Sequence, residues 1–209
     1  MKLCIFGADG RTGVEVVRYA IKQGHEVTAF VWADGPYEYF PKEVHIQKGD
    51  VTDYTAVIQA IQGSDAVISV LGHIKGSDPL MQTKGMKNIT SAMQALGVRR
   101  VLSLTGTGVR VPLDTPSLVD RILNFIVGLV DPDRINDGVE HMKVLQNSNL
   151  DWTVVRVLKL SKIDTDVRTY TLTQGGPAEL QTSRKKVARV LVDLISDDAS
   201  IGACPVISG

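Results

Sequence analysis

Three glycines interrupt an apolar run near the start of the chain. The stretch LCIFGADGRTGVEVV places Gly7, Gly10 and Gly13 between a strand-like and a helix-like segment. Glycine tolerates positive φ and lets a phosphate approach the backbone without a Cβ in the way, and N–H groups at the start of the following helix can hold the anion. The third glycine, Gly13, permits close packing of helix on strand. A tight turn also uses glycines, but the strand–helix–strand context favours a dinucleotide turn.

Two later segments end predicted strands, and we expect them at the same edge of the sheet as the glycine turn. In KGDVTD, Asp50 either accepts a hydrogen bond from an adenine amino group, with the Val51 N–H beside it, or forms a turn, while Asp53 caps the next helix. In VLGHIKG, the missing side chain of Gly72 allows close approach of a ribose or a nicotinamide. Together they predict a cofactor site at the carboxyl ends of the strands.

The histidines and the remaining motifs offer little further chemistry. His73 borders the predicted nicotinamide site, where it either touches cofactor or substrate or is an ordinary loop histidine. We expect His141 to be a surface or helix-packing residue rather than a proton donor, and His25 and His45 to be structural. No Cys/His spacing suggests a metal, and the chain has neither a Gly-x-Ser-x-Gly elbow nor a P-loop, which argues against metal and serine hydrolase chemistry.

The elements that must position these residues follow from β-branched runs that alternate with helical periods. Strands are predicted at Lys2–Phe6, Glu26–Val31, His45–Lys48, Ala66–Val70, Arg100–Leu104, Thr153–Val157, Arg168–Thr173 and Ala203–Ile207. Helices are predicted at Gly13–Gln23, Tyr54–Gln62, Pro79–Leu96, Leu118–Val130, Gly138–Asn147 and Arg184–Ser196. The early strands are apolar throughout, which is typical of burial on both faces. The sequence therefore predicts an α/β fold, a Rossmann-like doubly wound, mostly parallel sheet with helices on both faces and a small irregular C-terminal substrate region.

The length, the charge balance and the hydrophobic segments of the chain limit the class of protein to which it can belong. The length of 209 residues predicts one domain over residues 1–209, with about 106–209 contributing the substrate side. The 23 basic and 23 acidic residues cancel, which argues against a nucleic-acid partner. No signal peptide and no span long enough for a bilayer is recognised, so we expect a cytoplasmic protein with no membrane partner and with Cys4 and Cys204 as buried thiols.

Seven segments carry a family resemblance. They are IFGADGRTG, HEVTAFV, GDVTD, DAVISVLG, TKGMKNITSAMQALGVRRVLSLTGTG, HMKVLQNSNLDWTVVR and LQTSRKKVARVLVDLI, and they cover nearly the whole chain in order. With these segments the chain resembles the atypical short-chain dehydrogenase/reductases with an NmrA-like, NAD(P)H-binding domain, of the flavin reductase/biliverdin-IXβ reductase type.

The resemblance implies roles for particular residues. Pyrophosphate contacts are implied for Gly7, Asp9, Gly10, Arg11 and Thr12. Adenine contacts are implied for Asp50 and Val51, and nicotinamide-side contacts for Leu71, Gly72, Thr105 and Gly106. The substrate would lie near Val157 and Leu158.

The residues after the second strand leave the choice between NADP and NAD open, with an inclination to NADP from the family. NADP-binding relatives carry an arginine there, which can bind the 2′-phosphate, whereas this chain has Trp32. Trp32 either stacks on adenine or packs as an apolar residue. Arg11 either supplies the missing charge or is a surface arginine, and Asp34 either binds ribose hydroxyls, favouring NAD, or starts a turn.

The Ser, Tyr and Lys of typical short-chain dehydrogenases are missing. Gly106 stands at the serine position, and the Tyr-x-x-x-Lys positions correspond to about Arg134 and Gly138. Thr105, Thr107 and His73 remain as catalytic candidates. The resemblance implies a reductase that passes hydride directly to a small conjugated acceptor (quinone-, flavin- or carbonyl-like). The alternative is a catalytically silent NAD(P)-binding redox sensor that acts through a protein partner.

An apolar stripe marks the helix after the long connection that follows Gly106. It consists of Leu118, Ile122, Phe125, Ile126 and Leu129. Either this helix packs flat on the sheet as part of the core, or part of the stripe roofs the acceptor site and excludes water. No basic cluster flanks the stripe, which argues against a membrane-surface helix.

Overall fold

A computed structural model describes residues 1–73, 76–112, 114–161 and 169–208. The strands in these ranges are β1 (Lys2–Phe6), β2 (Glu26–Val31), β3 (His45–Lys48), β4 (Ala66–Ser69), β5 (Arg100–Gly106), β6 (Asp151–Val157), β7 (Thr171–Thr173) and β8 (Val206–Ser208). The α-helices are α1 (Arg11–Lys22), α2 (Tyr54–Ile61), α3 (Met81–Leu96), α4 (Leu118–Val130), α5 (Pro132–Gln146) and α6 (Arg184–Asp193). Short 3₁₀ helices follow at Leu194–Ser196 and Asp198–Ser200.

The strands form one sheet in the order β3-β2-β1-β4-β5-β6-β8-β7. All neighbouring strands are parallel except β7, which pairs antiparallel with β8. The chain winds outward from β1 in one direction to β3 and then in the other direction from β4, so the strand order reverses between β1 and β4. The predicted Rossmann-like fold class is confirmed, and ligands of such sheets bind at the carboxyl ends of the strands beside this reversal.

Both faces of β1 are buried, which explains its unbroken apolar sequence. Leu3 and Ile5 belong to a core with α1 and α6, whereas Cys4 and Phe6 belong to a second core with α2, α3 and α5. This alternation follows from the two-residue period of a strand. Cys4 and Cys204 are free and buried as predicted, and burial raises the pKa of both thiols.

Several element boundaries differ from the sequence prediction. The helix predicted at Gly138–Asn147 begins six residues earlier, at Pro132, because Pro132 occupies the first helical turn and Asp131 caps it. The last predicted strand, Ala203–Ile207, is shifted to Val206–Ser208. The strand predicted at Arg168–Thr173 is present only as β7, and Arg168 lies outside the described residues.

Two buried arginines attach the C-terminal half to the sheet. The Arg100 guanidinium donates to the carbonyls of Leu194 (2.6 Å) and Ile195 (3.1 Å), and so fixes the 3₁₀ turn after α6. The Arg156 guanidinium donates to both carboxylate oxygens of Asp114, at 2.6 and 2.9 Å. The second pair holds the long connection after β5 against β6, so the end of β5 is positioned from both sides.

The apolar stripe on α4 does not pack on the sheet, and the interpretation of α4 as a core helix is wrong. Phe125 is 69% exposed and Leu129 is 70% exposed, while Asp120 is the buried residue of the helix. The roof interpretation stays a prediction. No helix among the described residues has the length and apolar character needed to cross a membrane.

Candidate cofactor site

The three glycines of the first turn have different structural roles. Gly7 has a φ of 74°, a left-handed conformation that side chains rarely adopt. A Cβ on Gly13 would lie 2.1 Å from the Gly7 carbonyl oxygen, so Gly13 is required for the packing of α1 on β1. A Cβ on Gly10 would meet only the Gly7 carbonyl oxygen, at 3.2 Å, and would otherwise point into open space. A side chain would therefore clash with the backbone at Gly13, whereas there is space beside the backbone at Gly10.

The amino terminus of α1 offers free hydrogen-bond donors beside this open space. Gly10 is the N-cap and contributes no side-chain acceptor, and the first turn of α1 carries no acidic residue. Among the residues that the structure describes, no acceptor faces the N–H groups of Arg11 and Thr12. Free N–H groups and the positive end of a helix dipole favour an anion at this position.

Asp9 binds the loop after β2. Its Oδ2 accepts hydrogen bonds from the N–H groups of Trp32 (3.0 Å) and Ala33 (2.9 Å). The resemblance implied a pyrophosphate contact for Asp9. In the structure its carboxylate joins the turn after β1 to the turn after β2.

The loop after β2 leaves two side chains on the surface. Trp32 is 59% exposed, so the interpretation of this residue as apolar packing is wrong. Asp34 forms an ion pair with Lys48 at the end of β3, and its carboxylate raises the pKa of Lys48. Lys48 is thereby placed on the side of the sheet where the adenosine half of a dinucleotide is expected.

Asp50 and Val51 lie in the turn after β3. Asp50 Oδ1 accepts from the N–H (2.8 Å) and the hydroxyl (2.7 Å) of Thr52, so this carboxylate forms a turn. The Val51 side chain is buried, and its carbonyl accepts from the Asn88 amide at 3.0 Å. Asp53 caps α2 by accepting from the Thr55 N–H, as predicted.

The ends of β4 and β5 continue the edge that begins at the glycine turn. Phe6 pairs with Ser69, and Ser69 pairs with Ser103, so the residues that follow these three lie side by side. They include Leu71, Gly72, Thr105 and Gly106. A Cβ on Gly72 would have no neighbour within 4 Å, and one on Gly106 would have none closer than 3.9 Å. The backbone is therefore accessible at this edge.

The two catalytic threonine candidates differ in exposure. Thr105 is half-buried, and a Cβ on Gly138 would lie 3.0 Å from its hydroxyl oxygen. The missing side chain of Gly138 thus leaves room for the Thr105 hydroxyl. Thr107 is buried, and its hydroxyl accepts from the Asn124 amide at 3.0 Å. Of the two hydroxyls, that of Thr105 is therefore the more accessible.

Asp137 is a buried residue beside this edge that sequence analysis missed. Its buried carboxylate, on α5, accepts from the N–H groups of Gln82 and Thr83, both at 2.9 Å, and from the Thr83 hydroxyl at 2.6 Å. These donors form the first turn of α3, whose N-cap residue Leu80 contributes no side-chain acceptor. Asp137 therefore caps α3 from a different helix. The missing cap before Met81 was the only local signal of such a partner.

The same carboxylate positions His73. His73 Nε2 lies 2.8 Å from Asp137 Oδ2, close enough for an ion pair but outside hydrogen-bond geometry, and the histidine side chain is 11% exposed. Asp137 thus connects the loop after β4, the start of α3 and the middle of α5. Since Leu71 and Gly72 directly precede His73, this contact also restrains the edge at the end of β4.

His141 is buried one turn after Asp137. Its Nε2 lies 2.8 Å from the Ser103 hydroxyl oxygen, and both residues are buried. Burial lowers the pKa of His141 from 6.5 to about 4, against the opposing effects of the Asp137 charge and the Gly138 carbonyl. The ring is therefore neutral near pH 7 and packs inside the protein, as the helix-packing interpretation predicted.

We expect His141 to make folding stability dependent on pH. Its pKa is about 4 in the folded protein and 6.5 ordinarily, so the unfolded chain binds more protons between these values. Stability therefore falls as the pH falls through this window, by about 2 kcal/mol between pH 7 and pH 5. Urea unfolding of wild type and His141→Gln at both pH values measures this. The variant should lose about 2 kcal/mol less than wild type, and equal losses would contradict the assignment.

The structure brings most of the predicted cofactor residues to one edge. Gly7, Gly10, Arg11 and Thr12 lie at the first turn, and Leu71, Gly72, Thr105 and Gly106 lie at the neighbouring strand ends. A concave surface of about 210 Å³ lies away from this edge, in a groove between α1 and α6. In the described ranges no three His, Cys, Asp or Glu side chains cluster as metal ligands would. Backbone without side chains and free N–H donors therefore lie together at this edge, and these are the features that a dinucleotide would need.

Comparison with known proteins agrees with this geometry. The family model described as NAD(P)H-binding matches residues 7–198. The protein YwnB of Bacillus subtilis is 29% identical over an alignment 162 residues long, which covers 73% of this chain and 70% of that protein.

Solved structures share the fold over the whole chain. A short-chain dehydrogenase/reductase of Veillonella parvula in complex with NADP has a TM-score of 0.82 at 17% identity and covers all of this chain and 94% of its own. ChuY, an anaerobillin reductase of Escherichia coli O157:H7, has a TM-score of 0.81 at 17% identity and covers all of this chain and 97% of its own. At this identity the likeness shows the fold, and it confirms the structural resemblance to the short-chain dehydrogenase/reductases.

Proposed function

Because the chain belongs to the NAD(P)H-binding family, we propose that it is an NAD(P)H-dependent reductase that passes hydride to a small conjugated acceptor. The observation that carries the proposal is the accessible backbone at the carboxyl ends of β1, β4 and β5. Gly10, Gly72 and Gly106 all face space that a Cβ could enter without a clash closer than 3.2 Å. These ends lie beside the strand-order reversal, where dinucleotides bind in such sheets.

The chain's own residues account for cofactor binding. The free N–H groups of Arg11 and Thr12 bind the pyrophosphate, and the dipole of α1 favours its charge. Asp9 holds the loop after β2, so that Trp32 is presented to the adenine. When bound, the dihydronicotinamide supplies the hydride.

The acceptor side lacks the usual proton donor. Gly138 replaces the lysine of the Tyr-x-x-x-Lys pair, and the Thr105 hydroxyl occupies the space beside it. Thr105 Oγ1 can donate a hydrogen bond to an acceptor oxygen, and His73, restrained by Asp137, lies on the adjacent loop. Quinone-, flavin- and carbonyl-like acceptors with extended conjugation need little proton donation from the protein, which fits this set of residues.

Two structural neighbours support the proposal. ChuY is an anaerobillin reductase, so a protein with this fold serves as a reductase. The Veillonella protein was solved with NADP, which supports the inclination to NADPH over NADH.

An acceptor panel tests the activity. Purified protein is given NADPH or NADH with quinones, flavins and carbonyl compounds, and loss of nicotinamide absorbance is followed. We expect turnover with at least one conjugated acceptor. Cofactor binding without turnover on any acceptor class would instead support the redox-sensor alternative.

Arg11 is expected to decide cofactor choice. It is exposed at the first position of α1, and no described residue accepts a hydrogen bond from its guanidinium. If Arg11 binds the 2′-phosphate, Arg11→Ala should weaken the binding of NADPH by roughly 1.5–3 kcal/mol and the binding of NADH much less. Titration calorimetry with both cofactors measures the difference. Lys87→Ala, which removes an exposed cation on α3, is the control, and equal losses for both cofactors in Arg11→Ala would contradict the assignment.

A further inference from the structure

The helix α4 presents its polar side inward and its apolar side outward. On the inner side, Asp120 is buried against Arg110, and the Asn124 amide donates to Thr107 at 3.0 Å. The outer side carries seven apolar residues that are 48–80% exposed. We call them the α4 face: Leu118, Val119, Ile122, Phe125, Ile126, Leu129 and Val130. Water is a poor partner for such a face, and we propose that it pairs with the same face of a second copy of this chain.

The α4 face is a contiguous apolar patch on one side of a helix. Each of its seven side chains is about half-exposed or more. Contiguous apolar patches of several hundred Å² on soluble domains mark interaction sites. A two-fold dimer buries the same patch on both copies and leaves none exposed.

The charges around α4 favour a second copy over a lipid surface. No residue of the α4 face is charged, so two copies can approach without repulsion between like charges. Arg121 borders the face, and Asp131, Asp133 and Arg134 follow the helix, so acidic and basic residues balance around the face. Peripheral membrane helices need an excess of basic residues to bind anionic lipids.

The same charges specify an antiparallel arrangement. Asp131 is paired with Arg134 (3.7 Å), so parallel helices would bring together the Asp133 carboxylates of both copies, which have no ion-pair partner among the described residues. Antiparallel helices place Arg121 of each copy towards the acidic end of the other, and they oppose the two helix dipoles favourably. Phe125, near the middle of the helix, then lies close to its own counterpart.

Sedimentation equilibrium of the full chain tests the pairing. Wild type should be a dimer, and Phe125→Asp combined with Leu129→Asp should weaken self-association at least about tenfold, since it buries unpaired charge. Leu180→Asp, which changes a residue that is 52% exposed outside α4, should remain dimeric. A wild type that is monomeric at all concentrations would overturn the proposal. Loss of turnover in the α4 variant would concern only the role of α4 as a roof over the acceptor site. Dimers that persist in the α4 variant, or monomers that bind phosphatidylcholine–phosphatidylserine vesicles, would also overturn the proposed pairing.

A disulfide test covers the case in which the aspartate variant fails to fold. The two native cysteines are buried, so a cysteine introduced at position 125 is the accessible thiol. Phe125→Cys should oxidise to a covalent dimer. Leu118→Cys should not, because antiparallel pairing holds its two copies about 20 Å apart. Failure of Phe125→Cys to cross-link, or equal cross-linking of both variants, would contradict the proposal.

Discussion

Replacing Gly10 by valine is expected to abolish NADPH binding while the protein remains folded. Gly10 has a φ of −70° and a ψ of 155°, which valine adopts readily, and its Cβ would have only the Gly7 carbonyl oxygen near it. The rest of the new side chain would fill the space that a phosphate needs. We expect an affinity loss of at least about 100-fold, that is, about 2.7 kcal/mol or more, by titration calorimetry.

The control for this variant is a second glycine-to-valine change. A Cβ on Gly128, in α4, would make only an ordinary 3.7 Å contact with Ile135. Gly128→Val should therefore bind NADPH as wild type does. If Gly10→Val is folded and binds with unchanged affinity, the pyrophosphate does not lie at this turn.

Asp137→Ala is expected to lower the free energy of unfolding by about 3–5 kcal/mol. The change leaves two buried N–H groups and the Thr83 hydroxyl without their acceptor, removes the cap of α3 and frees His73. Urea unfolding at pH 7 measures the loss. We also expect weaker cofactor binding in the folded variant, because Leu71 and Gly72 directly precede His73 in the same loop.

Two variants separate the capping role from a general effect of substitution on α5. Asp137→Asn keeps one acceptor oxygen and should lose less stability than Asp137→Ala. Glu140→Ala removes a carboxylate whose partner is the exposed Lys143, at 2.7 Å, and should cost less than about 1 kcal/mol. A loss below about 1 kcal/mol in Asp137→Ala would mean that α3 does not depend on this cap.

The centre of the sheet was predictable because β1, β4 and most of β5 are buried on both faces. β1, β2 and β3 have the predicted bounds, and α4 has them too. The start of α5 was missed although Asp131 and Pro132 are a cap and a first-turn proline, because the same DPD stretch also suggests the end of α4. One residue separates the two helices, and only packing shows that the second begins there.

Features of the candidate site that depend on the backbone could be located from the sequence. Features that depend on which side chains pack against each other were harder to predict. Glycine spacing and a strand end indicated Gly10 and Gly72 without any knowledge of packing, whereas the role of Gly106 was implied only by the family resemblance. The exposure of Trp32 and of the α4 face depends on whether another element of the fold covers these side chains, which the periodicity of the sequence does not show. The role of Asp137 depends on the position at which α5 crosses the start of α3. The residues in contact there are separated by 54 and 55 positions in the sequence, so no local pattern specifies the contact.

A crystal structure of the protein with NADPH tests the central claim most directly. We predict density for the pyrophosphate against the N–H groups of Arg11 and Thr12, with the nicotinamide beside Gly72 and Gly106. Density for the dinucleotide in the basic groove between α1 and α6, or anywhere away from the carboxyl ends of β1, β4 and β5, would contradict the account.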